Sequence, residues 1–149
     1  MKFDEDKLLI ILNESWNWMI PKVERILVVN SMGNCFVQDC NLHFWRICPE
    51  DLTAEIVARN DDEVQLVFSD EEFKADWQLL GLIDPAEEHF GVLEAGECYA
   101  MIIPAIMEGE YSIENLRVCS VYEYLSLSGE MAFKTKDLKD GDQFEIYVS

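Results

Sequence analysis

Apolar residues recur at helical spacing at the start of the chain, where Leu8, Leu12, Trp16 and Met19 line one side of a 3.6-residue repeat. Asp4 precedes the run as an N-cap, Glu5 and Asp6 set negative charge against the positive end of the helix dipole, and Pro21 marks the stop. Trp16 and Trp18 read as core or groove-filling residues. The pattern then shortens into apolar runs over residues 25–30, 35–38 and 42–47. Ser31-Met32-Gly33-Asn34 and Asp39-Cys40-Asn41 lie between them as turn material. Those lengths and spacings predict an antiparallel meander, with residues 53–58 as a candidate fourth strand.

Beyond residue 58 the dominant signal is helix capping. Asn60 with Glu63, Ser69 with Glu72, Asp84 with Glu87, and Ser120 with Glu123 each have the spacing at which a first side chain accepts from an early helix N–H while the acid reaches back. Phe73, Trp77 and Leu80 form one face of the second of these helices, with Gly81 as its stop. Pro85 suits the first position of the next helix, where its missing N–H would be unpaired anyway, and Gly91 closes that helix. Residues 98–103 form a nearly continuous apolar run before Pro104, which predicts a central strand covered on both faces. A helical segment follows Ser120 to about Lys136, with Gly129 as a candidate break. Asp140-Gly141 then turns into a last strand over residues 143–148, with Phe144, Ile146 and Val148 on one face. No repeat or low-complexity linker divides the chain. The expectation is a single α+β domain over residues 1–149, an antiparallel β-sheet flanked by several short helices, with residues 1–22 as an N-terminal helix packing on it.

Composition sharpens this picture mainly through charge. Half of the 149 residues are hydrophobic, enough for a substantial core. Against 11 Lys and Arg stand 30 Asp and Glu, a net charge of -19, which opposes binding to nucleic-acid backbones or anionic lipid. The charge is concentrated: between Asp61 and Glu110 there are 14 acids and one base, Lys74. Such a segment is either a solvated face that serves solubility or a docking face for a basic protein. The N-terminus carries acids before a short apolar run, unlike a secretory signal, and no apolar stretch reaches membrane-spanning length, so the expected location is the cytoplasm.

Catalytic chemistry is not written in any motif. His43 and His89 have no ligand-spaced partner, and HExxH, Walker, GxGxxG and GxSxG patterns are absent, so no metal, cofactor or catalytic residue is assigned. Cys35, Cys40, Cys48, Cys98 and Cys119 show no CxxC spacing and sit in or beside apolar runs, where a thiol acts as a small hydrophobe that reacts slowly until unfolding.

Residues 91–116, GVLEAGECYAMIIPAIMEGEYSIENL, hold the densest set of position-specific residues. Gly96 permits a tight turn into a buried strand, Pro104 ends its pairing, and Gly109 turns the chain back, with Glu114 and Asn115 able to hydrogen-bond neighbouring backbone and hold the return. Gly91, Leu93, Gly96, Glu97, Cys98 and Tyr99, then Pro104, then Gly109, Tyr111, Glu114 and Asn115 also fit a family pattern. In these positions the sequence resembles the C-terminal domain of bacterial type VI secretion immunity proteins, long catalogued as a domain of unknown function. Weaker echoes lie over residues 33–39, at Phe73 and Trp77, and over residues 138–141. Glu108 stands in place of the first glycine of a pair, Asn41 where a glycine often follows the aspartate turn, and Lys139 in place of a usual proline. Longer members of that family carry an additional N-terminal domain, which this chain is too short to contain in full.

The resemblance implies a cytoplasmic, non-enzymatic immunity-type protein that binds and blocks a partner toxin. The acidity of the chain points to a basic partner, with Glu94, Glu97, Glu108 and Glu110 on the contact face and a nuclease as a fitting toxin. The alternative is a small-ligand-binding protein or hydrolase with a pocket near Tyr99, Tyr111, Glu114 and Asn115. Oligomeric state is not legible in the sequence.

Overall fold

Asp4 starts the first helix as expected: its carboxylate accepts the Lys7 backbone N–H, and α1 runs Glu5–Ser15. The structure, a computed structural model, describes residues 1–78 and 80–137, and of Leu80 only the backbone. The helix ends before the apolar spacing predicts. The N–H groups of Met19 and Ile20 both turn back to the Trp16 carbonyl. The Asn13 side chain pairs with both the N–H and the C=O of Val23, which ties the next strand to the helix (2.8 and 3.1 Å). Trp16 is fully buried, while Met19 is left on the surface.

Strands β1 (Val23–Val29), β2 (Cys35–Asp39), β3 (Phe44–Cys48) and β4 (Thr53–Ala58) form an antiparallel meander in that order, so the fourth strand is present. β3 begins two residues later than expected because Leu42 belongs to the turn, with φ of 66°. Buried Asp39 organises that turn, accepting from the N–H groups of Asn41 and His43 with one oxygen and from the Trp45 indole with the other.

The pairing register divides the sheet into two apolar faces. Cys35 opposes Ile47 and Val37 opposes Trp45 on one face; Phe36 opposes Arg46 and Gln38 opposes Phe44 on the other. The first face packs against α1 and against α5 (Val121–Thr135), with Leu8, Leu12, Trp16 and Leu125 in the shared core. The second lies under α2 (Asp61–Ser69) and α3 (Glu71–Gln78), where Phe36 contacts Phe44, Phe68, Phe73 and Trp77 in one aromatic cluster.

In two of the four capping pairs the first side chain caps as expected, Asn60 accepting from Glu63 N–H and Ser120 from Glu123 N–H, while the Glu63 carboxylate reaches back one residue further, to the Arg59 N–H. The α3 cap is Asp70 rather than Ser69: its carboxylate takes the N–H groups of Glu72 and Phe73, while the Ser69 hydroxyl donates back to Gln65. Asp84 caps nothing, because α4 (Leu80–Phe90) already contains Gly81, Asp84 and Pro85. Gly91 closes that helix through its N–H to the Glu87 carbonyl.

The apolar run after Gly96 forms a strand that ends at Met101, two residues short of the expected span. Among the described residues, β5 (Glu97–Met101) pairs with β6 (Leu116–Ser120), apart from the four-stranded sheet. Its residues 98–101 are buried, as the unbroken apolar run predicts. Tyr99 and Met101 pack with Met32, Leu82, Ala86 and Leu116, and Cys98 joins the α1–α5 core. The small sheet is fastened to the large one by the Tyr99 N–H to the Ser31 carbonyl (2.8 Å).

Helix α5 runs through Gly129 without a break. The glycine serves contact instead: a Cβ there would lie 2.5 Å from the Ser15 carbonyl oxygen, and the Trp18 indole donates to the Gly129 carbonyl. The strand expected over residues 143–148 and the echo over 138–141 lie outside the described residues. Among the described residues no helix is long and apolar enough to cross a membrane.

Candidate functional site

The chain from Gly91 to Leu116 builds two neighbouring features around β5. Gly96 supplies the left-handed backbone (φ 79°) that lets the strand begin beside the N-terminus, and its N–H donates to the Lys2 carbonyl. The Glu97 carboxylate folds back to accept the Glu94 N–H (2.8 Å), so these two residues form one turn with Glu94 outermost. Beside it lies a cleft of about 680 Å³ lined by Lys2, Ser31, Glu87, Leu93, Glu94 and Tyr99, among others. The Tyr99 hydroxyl donates to the Gly91 carbonyl (2.8 Å). Burial, then Glu87 and Glu97, raise the Tyr99 pKa, so the phenol stays neutral.

The second feature is the loop from Ile102 to Asn115. Asn115 is its brace: the side-chain oxygen accepts the Ile103 N–H, and the amide nitrogen donates to the carbonyls of Ile103 and Glu110, all at 2.9 Å. Its backbone carbonyl also takes the Ile102 N–H. The chain reverses at Glu108, which adopts a left-handed φ of 65°; the expected turn residue, Gly109, does not. Gly109 is needed for closeness, since a Cβ would fall 1.8 Å from the Ile103 carbonyl oxygen. Tyr111 reaches Asp51 with its hydroxyl (3.4 Å), and burial followed by Asp51 and Glu50 raises its pKa. Tyr111 and Asn115 thus stand apart from the cleft lining, and Glu114 is exposed on the loop. Glu94, Glu108 and Glu110 are exposed, and Glu97 is half-buried.

Sequence reasoning missed a buried polar network on the α2–α3 side of the sheet. Arg46 donates twice to the Asn34 side-chain oxygen and once to Asp76, and its guanidinium lies over the rings of Phe73 and Trp77 (5.6 and 5.4 Å to their centroids). The Asn34 amide donates to Glu50 (2.8 Å), a carboxyl only 3 % exposed. Burial pushes the Glu50 pKa up to about 7, against the opposing pull of its backbone and Asn34 hydrogen bonds. Among the described residues the buried Tyr124 hydroxyl has no hydrogen-bond partner, and burial followed by Glu50 raises its pKa. The one signal available was a charged residue, Arg46, inside an apolar run; its partners lie 12 and 30 residues away.

The five thiols differ in setting. Cys35 and Cys48 are pushed up by burial, Cys48 to about 12. Cys98 and Cys119 oppose each other across β5 and β6 with sulfurs 3.9 Å apart; their mutual hydrogen bond lowers Cys119 and raises Cys98. Cys40 is exposed, contrary to the apolar setting expected for all five. Among the described residues no group of three or more His, Cys, Asp or Glu could hold a metal ion.

No curated protein matches this sequence. The fold is similar to that in the crystal structure of Atu4351 from Agrobacterium tumefaciens, with a TM-score of 0.58 and 15% identity over 85% of this chain. The chain spans 64% of that protein's length. Residues 58–132, half of the chain and the part that contains α2 to β6 and the braced loop, match the family model described as T6SS immunity protein Tdi1, C-terminal. The chain therefore belongs to the family of the Tdi1 C-terminal domain of type VI secretion immunity proteins.

Proposed function

We propose that this protein neutralises a partner toxin in the cytoplasm by binding it through an acidic surface, without catalysis of its own. The observation that carries the reading is membership of an immunity-protein family, since immunity is exerted on a toxin. The charge supports the mechanism. Fourteen acids and one base lie between Asp61 and Glu110, and twelve of those acids are exposed, Glu94, Glu108 and Glu110 among them. A surface of this sign attracts a basic partner and speeds the encounter. A nucleic-acid-cleaving toxin fits, because its substrate site carries the positive charge that such a surface would occlude.

The tyrosine and amide groups near β5 do not favour the ligand-binding alternative. The Tyr99 hydroxyl and all three Asn115 side-chain bonds are committed to backbone, so they do not converge on a ligand. The test is co-expression with the toxin encoded beside the protein. The native chain rescues growth, and Glu108→Lys with Glu110→Lys rescues less. Both positions are exposed, so stability changes by under about 0.5 kcal/mol. Asp6→Lys, outside the acidic segment, is the control. Association with the toxin slows as salt rises, because screening shortens steering to about 10 Å at 0.1 M. Absence of a neighbouring toxin, or rescue indifferent to both charge reversal and salt, would refute the mechanism.

A further inference from the structure

The loop that Asn115 braces carries an unusual amount of exposed apolar surface. Ile102, Ile103, Ile106 and Tyr111 are 55, 51, 59 and 50 % exposed, within ten consecutive residues. Single exposed apolar side chains are ordinary on soluble proteins; four large ones on one short, closed loop are not. The loop does have an inward side, since Met107 packs on the main core and Ala105 on the cluster around Tyr99. The four exposed residues are therefore the ones its folding leaves over.

The loop is also held in shape before any partner arrives. Asn115 fixes Ile102, Ile103 and Glu110, the Gly109 N–H donates to the Pro104 carbonyl, and the Gly109 Cα rests against the Ile103 carbonyl. A preordered loop loses little conformational freedom on binding, so more of its contact energy appears as affinity. Exposed Glu108, Glu110 and Glu114 border the apolar residues, and no Lys or Arg occurs between Lys74 and Arg117. Apolar centre with charged rim is the anatomy of a protein interface.

We infer that the Ile102–Tyr111 loop is the apolar anchor of the toxin interface, seated in an apolar pocket that the toxin rims with basic residues. This rests on the proposed immunity function and divides the labour within it: acids set the approach, and the isoleucines hold the complex. A second copy of this chain is disfavoured as occupant, because acidic rim would meet acidic rim on a molecule of net charge -19.

The experiment measures binding kinetics of catalytically inactivated neighbouring toxin to the native chain, to Ile106→Ser, and to Ile103→Ser with Ile106→Ser. A melting curve for each variant checks that it folds, and Ile106→Ser, at the most exposed of the four residues, is retained if the double variant does not fold. The expected result is dissociation about tenfold or more faster per side chain removed, with an unchanged association rate and salt dependence. Native dissociation in a folded Ile106→Ser variant, while Glu108→Lys still slows association, would overturn the anchor and leave the acidic mechanism standing. Failure of the native chain to bind the toxin would overturn both. A dimer of the native chain that Ile106→Ser dissolves would assign the loop to self-association and overturn the proposal.

Discussion

Substitution of Glu50 by Gln should stabilise the protein at neutral pH and leave it nearly unchanged in acid. Glu50 is buried beside Asn34, and its carboxyl titrates at about 7, well above its ordinary 4.5. Below pH 4.5 the acid is protonated in both folded and unfolded chains, so its charge costs nothing. Between 4.5 and 7 the unfolded chain releases the proton while the folded chain keeps it. The unfolded state then binds fewer protons, and stability falls as pH rises. Above 7 both states are ionised and the penalty is constant. The interval is about 2.5 pH units, which at about 1.4 kcal/mol per unit gives about 3 kcal/mol. Gln has the shape of the neutral acid, keeps an oxygen for the Asn34 amide, and cannot ionise. Urea unfolding of both proteins from pH 4.5 to 8 should show their difference growing from near zero to about 3 kcal/mol, which for a domain of this size corresponds to about 6–12 °C in melting temperature. Other carboxylates titrate alike in both proteins and drop out of the difference. A difference that stays flat across this range, or a Gln variant less stable at pH 8, would mean that Arg46 holds Glu50 ionised in the fold.

Arg46→Lys should cost about 2–3 kcal/mol in urea unfolding, because an ammonium cannot reproduce the fork that serves Asn34 and Asp76 or its stacking on Phe73 and Trp77. Gly129→Ala should destabilise by about 1–3 kcal/mol by thermal melting, since its Cβ would press on the Ser15 carbonyl and part α1 from α5; a neutral effect would refute the close packing. Glu108→Gly should stabilise the protein by up to about 1 kcal/mol, read as a slightly higher melting temperature, as glycine adopts the left-handed turn without a Cβ penalty. In thiol titration Cys40 should react promptly in the native protein, and Cys35 and Cys98 only after denaturant is added; prompt reaction of either buried thiol would refute the packing.

What the sequence determined by itself are the features set by residues near one another along the chain. The α1 cap at Asp4, the caps at Asn60 and Ser120, the meander and its candidate fourth strand all follow from local hydrogen bonding and alternation. The family pattern in residues 91–116 was equally legible, because it is a run of turn and strand residues at fixed offsets. A run apolar at every position announces that β5 is covered, but that α4 and the turn at Ser31 contribute to the cover is decided by packing. Local rules also misled where long-range contact decided. Pro85 reads as a helix start but sits within α4, and Gly129 reads as a break but admits another backbone. The placement of the site lies wholly on the tertiary side. Asn115 meets Ile103 and Glu110 only when the loop has closed, and Arg46 meets Asn34 and Asp76 only when α3 lies on the sheet. A composition rich in acids announces charge, but which apolar side chains remain uncovered beside it depends on how the core is filled, and that is settled only when the layers pack.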